Sequence, residues 1–298
     1  MPQLFLRYPK VRIMKTSNAI LLLSCPDRKG LVARLSNFIF QNNGNILEAD
    51  QYTSQREKMF FMRIEWELEG FALNREEIPV VFAPLARQYG MKWRLHFADE
   101  RPRMAIFVSR NLHCLHDLIL RMHMGELNAC VEAVVSNHSE AQDLVEQFGI
   151  RFFHFAITPD NKREQEKKQL ALLRELNVDL MVMARYMQIL TGEFIGEYVN
   201  RIINIHHSFL PAFSGSHPYQ QAFDRGVKII GATAHYATEQ LDEGPIIAQD
   251  VEKISHRDTV DDIQTKSRDL ERVVLARALR LHLDHKIIVH GAKTVVFE

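Results

Sequence analysis

LMVMARYMQILTGEFIGEYVNRIINIH, residues 180–206, is the stretch that decides how this chain is built. It opens on an apolar run, 180–184, continues through a helical pattern over 190–199, and closes on a second apolar run, 202–205. Two short apolar runs around a segment of helical period read as strand, crossover helix and strand, with the strands parallel in one sheet. The same alternation extends upstream. Strands are expected at 104–109, 129–136 and 151–156, with helices at 113–123, 139–148 and 162–176. Downstream come strand patterns at 228–236 and 246–253, a long helix over 259–283 and a terminal ribbon over 287–296. Residues 99–298 therefore read as an α/β, Rossmann-like domain with a mostly parallel sheet.

Ahead of it, residues 19–97 run strand, helix, strand, strand, helix, strand, the βαββαβ order of a ferredoxin-like unit. The helix at 31–41 carries Leu31, Leu35, Phe38 and Ile39 on one stripe, and Asn42-Asn43-Gly44-Asn45 ends it with a residue suited to positive φ. In the strand at 59–69, Phe61, Arg63, Glu65 and Glu67 alternate with Met62, Ile64, Trp66 and Leu68, which predicts one wet and one buried face. Pro79 and Pro84 predict a second helix, 76–89, that starts late or is broken. The charged, proline-ended segment 98–102 sets the boundary: an N-terminal extension over 1–18, a small domain over 19–98 and a larger one over 99–298.

Composition narrows the function. Of 298 residues, 46% are apolar and 25% charged, a globular balance. Lys plus Arg equals Asp plus Glu at 37 each, so no basic excess points to nucleic acid. No apolar run approaches the roughly 18 residues of a membrane span. The first 15 residues lack the apolar core and cleavage site of a secretory signal. Cys25, Cys114 and Cys130 are odd in number and widely spaced, which fits a reducing compartment, the cytoplasm.

Candidate chemistry gathers where the strand at 202–205 runs out. In open α/β sheets ligands bind beyond the carboxyl ends of the strands, and Asn204 and His206 stand at such an end. Spaced by two on an extended chain, they face the same side, and His207 is expected to point away. Asp242, in Asp242-Glu243-Gly244-Pro245, adds a carboxylate. An amide for a developing oxyanion, an imidazole to shuttle a proton and a carboxylate to orient it are what acyl chemistry needs. A polar pair capping a strand end is the plainer alternative.

The neighbouring residues carry a resemblance. Asn204-Ile-His206-His207-Ser208-Phe209-Leu210-Pro211-Ala212-Phe213, Gly231-Ala-Thr-Ala-His235 and Leu241-Asp242-Glu-Gly244-Pro245-Ile246-Ile247-Ala-Gln249 together resemble the formyltransferases that use 10-formyltetrahydrofolate. That resemblance implies a catalytic Asn204, His206 and Asp242. It implies a pterin-binding loop at Arg185, Met187, Gln188, Ile189 and Leu190, although apolar residues at such spacing are more often core. It also implies a facing wall from Glu239 to Gly244, the glycine letting backbone approach the ligand, and it puts His235 and Glu271 near the acceptor side. Taken alone, these last two read equally well as a core histidine and a helix-surface glutamate.

Cys25-Pro-Asp27-Arg-Lys-Gly30-Leu-Val32 with Asn42-Asn43-Gly44-Asn45-Ile46 resembles an ACT domain, a regulatory unit that pairs with itself and holds an amino acid. The effector candidates are Asp27, Gly30, Asn43 and Asn45. An ACT-like unit followed by a formyltransferase-like domain is the order of the formyltetrahydrofolate deformylases. The resemblance thus implies hydrolysis of 10-formyltetrahydrofolate to formate and tetrahydrofolate, in one-carbon and purine metabolism, by a homo-oligomer that needs no cofactor or metal. The segment 108–115 has no glycine to cradle the phosphate of a ribonucleotide acceptor, which favours water. The alternatives are transfer to an acceptor such as glycinamide ribonucleotide, a metal-dependent amidohydrolase built on His206, His207, His217, His235 and Asp242, and an amino-acid sensor without catalysis. Ser267 and Ser214-Gly-Ser-His217 depart from the deformylase pattern and imply altered loops there.

Overall fold

The computed structural model describes residues 17–211 and 218–298. Most of the expected N-terminal extension, the Ala212-Phe213 end of the Asn204 motif, and Ser214 to His217 lie outside the described residues.

The small domain is the βαββαβ unit: β1 (Asn18–Pro26), α1 (Leu31–Gln41), β2 (Ile46–Ser54), β3 (Met59–Glu67), α2 (Glu77–Tyr89) and β4 (Lys92–Phe97). Its sheet runs β2-β3-β1-β4 and is antiparallel throughout. Leu31, Leu35 and Ile39 of α1, with Ile78, Phe82 and Ala86 of α2, pack on the face carrying Leu21, Leu23, Met62, Ile64 and Trp66. Helix α2 is continuous, contrary to the expectation of a break. Pro79 falls in its first turn, where the N–H would have no intrahelical partner, and Pro84 lies on the exposed side, where water can reach the carbonyl it leaves. At the end of α1 the positive φ belongs to Asn43, at 61°, not to Gly44. Gly44 is needed for space, since a Cβ there would lie 2.5 Å from Ile39 Cγ2.

The second face of this sheet is not wet. Phe61 and Arg63 are 1% and 2% exposed. A terminal ribbon, described below, covers Leu22 and Phe61 with Phe297, Ile288 and Val295. The Arg63 guanidinium pairs with Glu48 and, at 2.6 Å, with Glu65, and its Nε donates to the His285 carbonyl at 3.1 Å. Alternation showed two faces, and only the tertiary fold supplies a second cover.

The large domain follows as β5 (Arg103–Val108), α3 (His113–His123), β6 (Cys130–Ser136), α4 (Gln142–Gln147), β7 (Arg151–His154), α5 (Lys162–Glu175), β8 (Leu180–Met183), α6 (Gly192–Glu197), β9 (Ile202–His206), α7 (Pro218–Asp224), β10 (Ile229–Tyr236), β11 (Ile246–Lys253) and α8 (Val260–Leu283). The ribbon β12 (Ile287–His290) and β13 (Lys293–Val296) closes the chain. The sheet order is β11-β10-β9-β8-β5-β6-β7, parallel from β9 to β7, with β10 and β11 antiparallel. The chain leaves β5 toward β6 and β7 on one side and returns to β8 and β9 on the other, so a crevice opens above β5.

Helix α6 is shorter than the 190–199 pattern. Thr191 caps it, its side chain accepting from the Phe194 N–H, and so residues 185–190 remain a loop. None of the described helices is long and apolar enough to cross a membrane.

Candidate active site

Four side chains meet at the carboxyl end of β9. Asn204 and His206 share one side of the strand while Ile205 enters the core on the other. Antiparallel pairing sets His235 of β10 opposite Asn204. The 237–245 loop then brings Asp242 back over both, with φ at 58°. His206 Nδ1 lies 3.1 Å from Asp242 Oδ2, His235 Nε2 is 3.6 Å from Asp242 Oδ1, and Asn204 Nδ2 is 3.2 Å from His235 Nε2.

These contacts assign roles to ring atoms. His235 Nδ1 sits 3.0 Å from the Tyr236 carbonyl, which can only accept, so the proton belongs on Nδ1. Nε2 is then free to accept from the Asn204 amide, leaving the second amide N–H of Asn204 for another acceptor. His206 Nε2 is buried and has no partner among the described residues. Burial would raise the Asp242 pKa, but the hydrogen bond from His206 Nδ1 and the nearness of His235 overcome it and hold the carboxyl well below the usual range.

Gly244 proves necessary for a reason other than ligand approach. A Cβ there would fall 1.7 Å from the Tyr236 carbonyl oxygen, so the Asp242 loop closes against β10 only with glycine. Glu239, on the same loop, lies over the start of α6, where a Cβ on Gly192 would meet its Oε1 at 1.7 Å.

Residues 185–190 line the crevice beside this cluster. Arg185 takes φ 64°, its carbonyl accepting from Ser109 N–H at 3.2 Å, and the Ser109 hydroxyl accepts from Met187 N–H at 3.0 Å. Ser109, which sequence reasoning treated as part of a loop without glycine, thus holds this loop to the end of β5. Met187 and Ile189 are 59% and 56% exposed, not core, whereas Leu190 is buried and Gln188 half-buried. Apolar side chains held open to solvent on an anchored loop suit a flat aromatic ligand.

Glu271 is not a surface residue. It is 0% exposed on α8, with His113 Nε2 at 2.8 Å, the Tyr219 and Ser267 hydroxyls at 3.1 Å and Arg185 Nε at 3.5 Å. Burial would raise its pKa, but the His113 hydrogen bond and the Arg185 charge hold it below the normal value. Ser267, whose departure from the deformylase pattern was expected to alter loop geometry, sits inside α8, within the expected 259–283 helix, as one of these donors. His207 does not point away. The strand ends at His206, alternation stops, and the two rings stack at 4.9 Å, with Tyr219 5.8 Å beyond. Burial, then the Arg185 charge, push the His207 pKa down to about 4. Among the described residues, His113, Cys114 and Glu271 are the cluster compact enough for a cation, rather than the histidines around Asp242. His113, Tyr219 and Thr233 escaped the sequence reading; Thr233 anchors the 208–210 turn through Ser208 and Leu210. Nothing in the local sequence of His113 and Tyr219 signals chemistry, whereas Thr233 lies inside the Gly231–His235 motif.

The formyl transferase family profile matches residues 102–279, and the ACT domain profile matches 19–71. The chain is 53% identical over 284 residues to the formyltetrahydrofolate deformylase of Synechocystis sp., covering 95% of this chain and 100% of that one. It is 50% identical to that of Bacillus subtilis, with 93% of each covered. This chain belongs to the formyltetrahydrofolate deformylase family. The deformylase structure from Pseudomonas syringae pv. tomato superimposes with a TM-score of 0.93 at 41% identity, covering 96% of each chain. Glycinamide ribonucleotide transformylase 1 of Symbiobacterium toebii gives 0.63 at 28% identity, covering 98% of itself but 69% of this chain.

Within the ACT domain of this deformylase-family chain, the four effector candidates do not meet. Asp27 and Gly30 precede α1, Gly30 at φ 86°, whereas Asn43 and Asn45 follow it, and the eleven residues of the helix separate the pairs by roughly 16 Å. Asn43 donates to the Gly70 carbonyl at 2.8 Å and Asn45 to Glu67 at 3.2 Å, so both serve the fold.

Proposed function

We infer that this chain hydrolyses 10-formyltetrahydrofolate to tetrahydrofolate and formate. The observation that carries the reading is the Asn204, His206, His235 and Asp242 cluster, with a His206 Nε2 that has no partner among the described residues, beside the open Met187 and Ile189 loop. The pterin lies along that loop, with Glu239 and the facing wall opposite. Water attacks the formyl carbon and gives a proton to His206 Nε2, while Asp242 holds the Nδ1–H and stabilises the imidazolium. The free N–H of Asn204 donates to the formyl oxygen as it becomes an oxyanion; a donor in such a position is worth about 2.7–4 kcal/mol. When the C–N10 bond breaks, the imidazolium returns its proton to N10, and the formic acid released gives its remaining acidic proton to solvent and leaves as formate. His235 acts through Asn204 and Asp242, as a positioning residue.

In this reading no metal or redox cofactor takes part, and tetrahydrofolate is product. Dialysis against a chelator should leave the rate unchanged; a loss restored by added metal would overturn this. The decisive assay follows formate from 10-formyltetrahydrofolate in the presence of glycinamide ribonucleotide. Formate should dominate, and formylated ribonucleotide in its place would reject hydrolysis. The ACT domain supports an amino-acid effector and association into a homo-oligomer, which light scattering tests directly. The free Cys25, Cys114 and Cys130 support the cytoplasm as its compartment.

A further inference from the structure

A cleft of about 900 Å³ lies not at the catalytic cluster but between the two domains, under the amino ends of β5, β8 and β9. Its wall from the ACT domain is β4. Alternation along Lys92–Phe97 turns Trp93, Leu95 and Phe97 into the core and leaves Lys92, Arg94 and His96 on the outer face. The ribbon covers the β3 and β1 part of that face, and the cleft opens over the β4 part. From the large domain come Arg101, Arg201, Tyr236, His282 and His285.

Charge in this cleft is unbalanced. Lysines and arginines number four against two acids, Glu100 and Asp179. Asp179 is already engaged by the Arg103 backbone N–H at 2.9 Å. Arg201 is partly engaged, lying over the Tyr198 ring and donating to the Glu197 carbonyl. Among the described residues, Lys92, Arg94 and Arg101 have no carboxylate partner. Burial, and the nearby Arg94, bring His96 down to about 4, and burial, His96 and Arg94 do the same to His282. The His96 and His285 rings stack at 3.8 Å. The His96 ring stacked on His285, beside cations with no carboxylate partner among the described residues, leaves room for a negative guest and offers it a flat wall.

We propose that this interdomain cleft is an effector site for a small molecule carrying a carboxylate or phosphate, its oxyanion received by Lys92, Arg94 and Arg101. The effect reaches the active site through Tyr236. Its phenol is in the cleft, 2.7 Å from His282 Nδ1. Its backbone N–H donates to the Pro245 carbonyl at 2.9 Å, and its own carbonyl receives His235 Nδ1 and abuts Gly244. One residue therefore has its side chain in the cleft and its backbone clamping the loop that carries Asp242. Clefts of this size between domains are common ligand sites.

The test is calorimetric titration of the full chain with inorganic phosphate and, separately, with succinate, at constant ionic strength against chloride. Saturable binding of one probe is expected, and which probe binds tells phosphate from carboxylate. Arg94→Gln should weaken it at least tenfold while leaving the basal deformylation rate unchanged. At saturation the wild-type rate should change twofold or more, and Tyr236→Phe should bind the probe but lose that response. No saturable binding of either probe, or equal binding by Arg94→Gln, would overturn the site; a rate response kept in Tyr236→Phe would overturn the route. Only the rate readout rests on the deformylase reading, so binding without any deformylation would leave the site standing and reject that reading.

Discussion

Two sets of four residues met opposite fates. Asn204, His206, His235 and Asp242 are scattered over three segments, yet lie within 3.6 Å of a neighbour in the cluster. Asp27, Gly30, Asn43 and Asn45 are close in sequence, yet a helix holds them apart. Proximity along the chain is thus a poor guide to a site. A sheet gathers distant segments at its strand ends, whereas a helix separates its own termini by its length.

The largest effects should fall on the first set. Asp242→Asn and His206→Ala should each lower kcat by about 10²–10⁴, the range for positioned acid–base groups, with unchanged circular dichroism. Retained turnover in both would dissolve the cluster as a site. Asn204→Ala should cost about 10²–10³ in kcat, with little change in KM. Removing the Nε2 acceptor by His235→Phe should cost less, about tenfold in kcat, since the Asn204 amide and Asp242 lose a positioning neighbour while the His206 base stays in place.

The next effects concern the join between the domains. Arg63→Ala removes the cation shared by Glu48 and Glu65 and the donor to His285, and should lower stability by about 3 kcal/mol in urea titration. Part of that cost is relieved because Glu48 is partly exposed. In the second set, Asn43→Ala should cost about 1 kcal/mol for its left-handed backbone, and Asn43→Gly less. A lost effector response without lost stability in both would restore Asn43 to an effector role.

The smallest effect is a pH dependence. Asp242 has its folded pKa below the unfolded value of about 3.9, so its contribution to stability is fully present above that pH. It is lost as pH falls through the folded pKa. The difference in thermal midpoint between the protein and Asp242→Asn should therefore be flat from about pH 8 to 5 and shrink below about pH 4.

Much of the fold was legible because hydrophobic period reports which face of each element is buried. The strands of both sheets, the long helix α8 and the terminal ribbon all follow from it. The same signal failed at Phe61 and Arg63, where polar alternation looked wet, because period cannot say that a ribbon from the far end of the chain will cover the second face. It failed again at Glu271, whose place on a charged helix gave no hint of four donors arriving from three other segments and its own turn.

By itself the sequence determined the element order, the βαββαβ unit ahead of a parallel sheet, and the chemical types gathered in the Asn204 and Asp242 motifs. These depend on local period and on residue identity, which the chain carries at every position. The tertiary structure alone decided that His235 orients Asn204, that Gly244 yields to the Tyr236 carbonyl, and that a cationic cleft lies behind the clamp on Asp242. Each of these is a distance between segments remote in sequence, and such distances exist only once the chain has closed on itself.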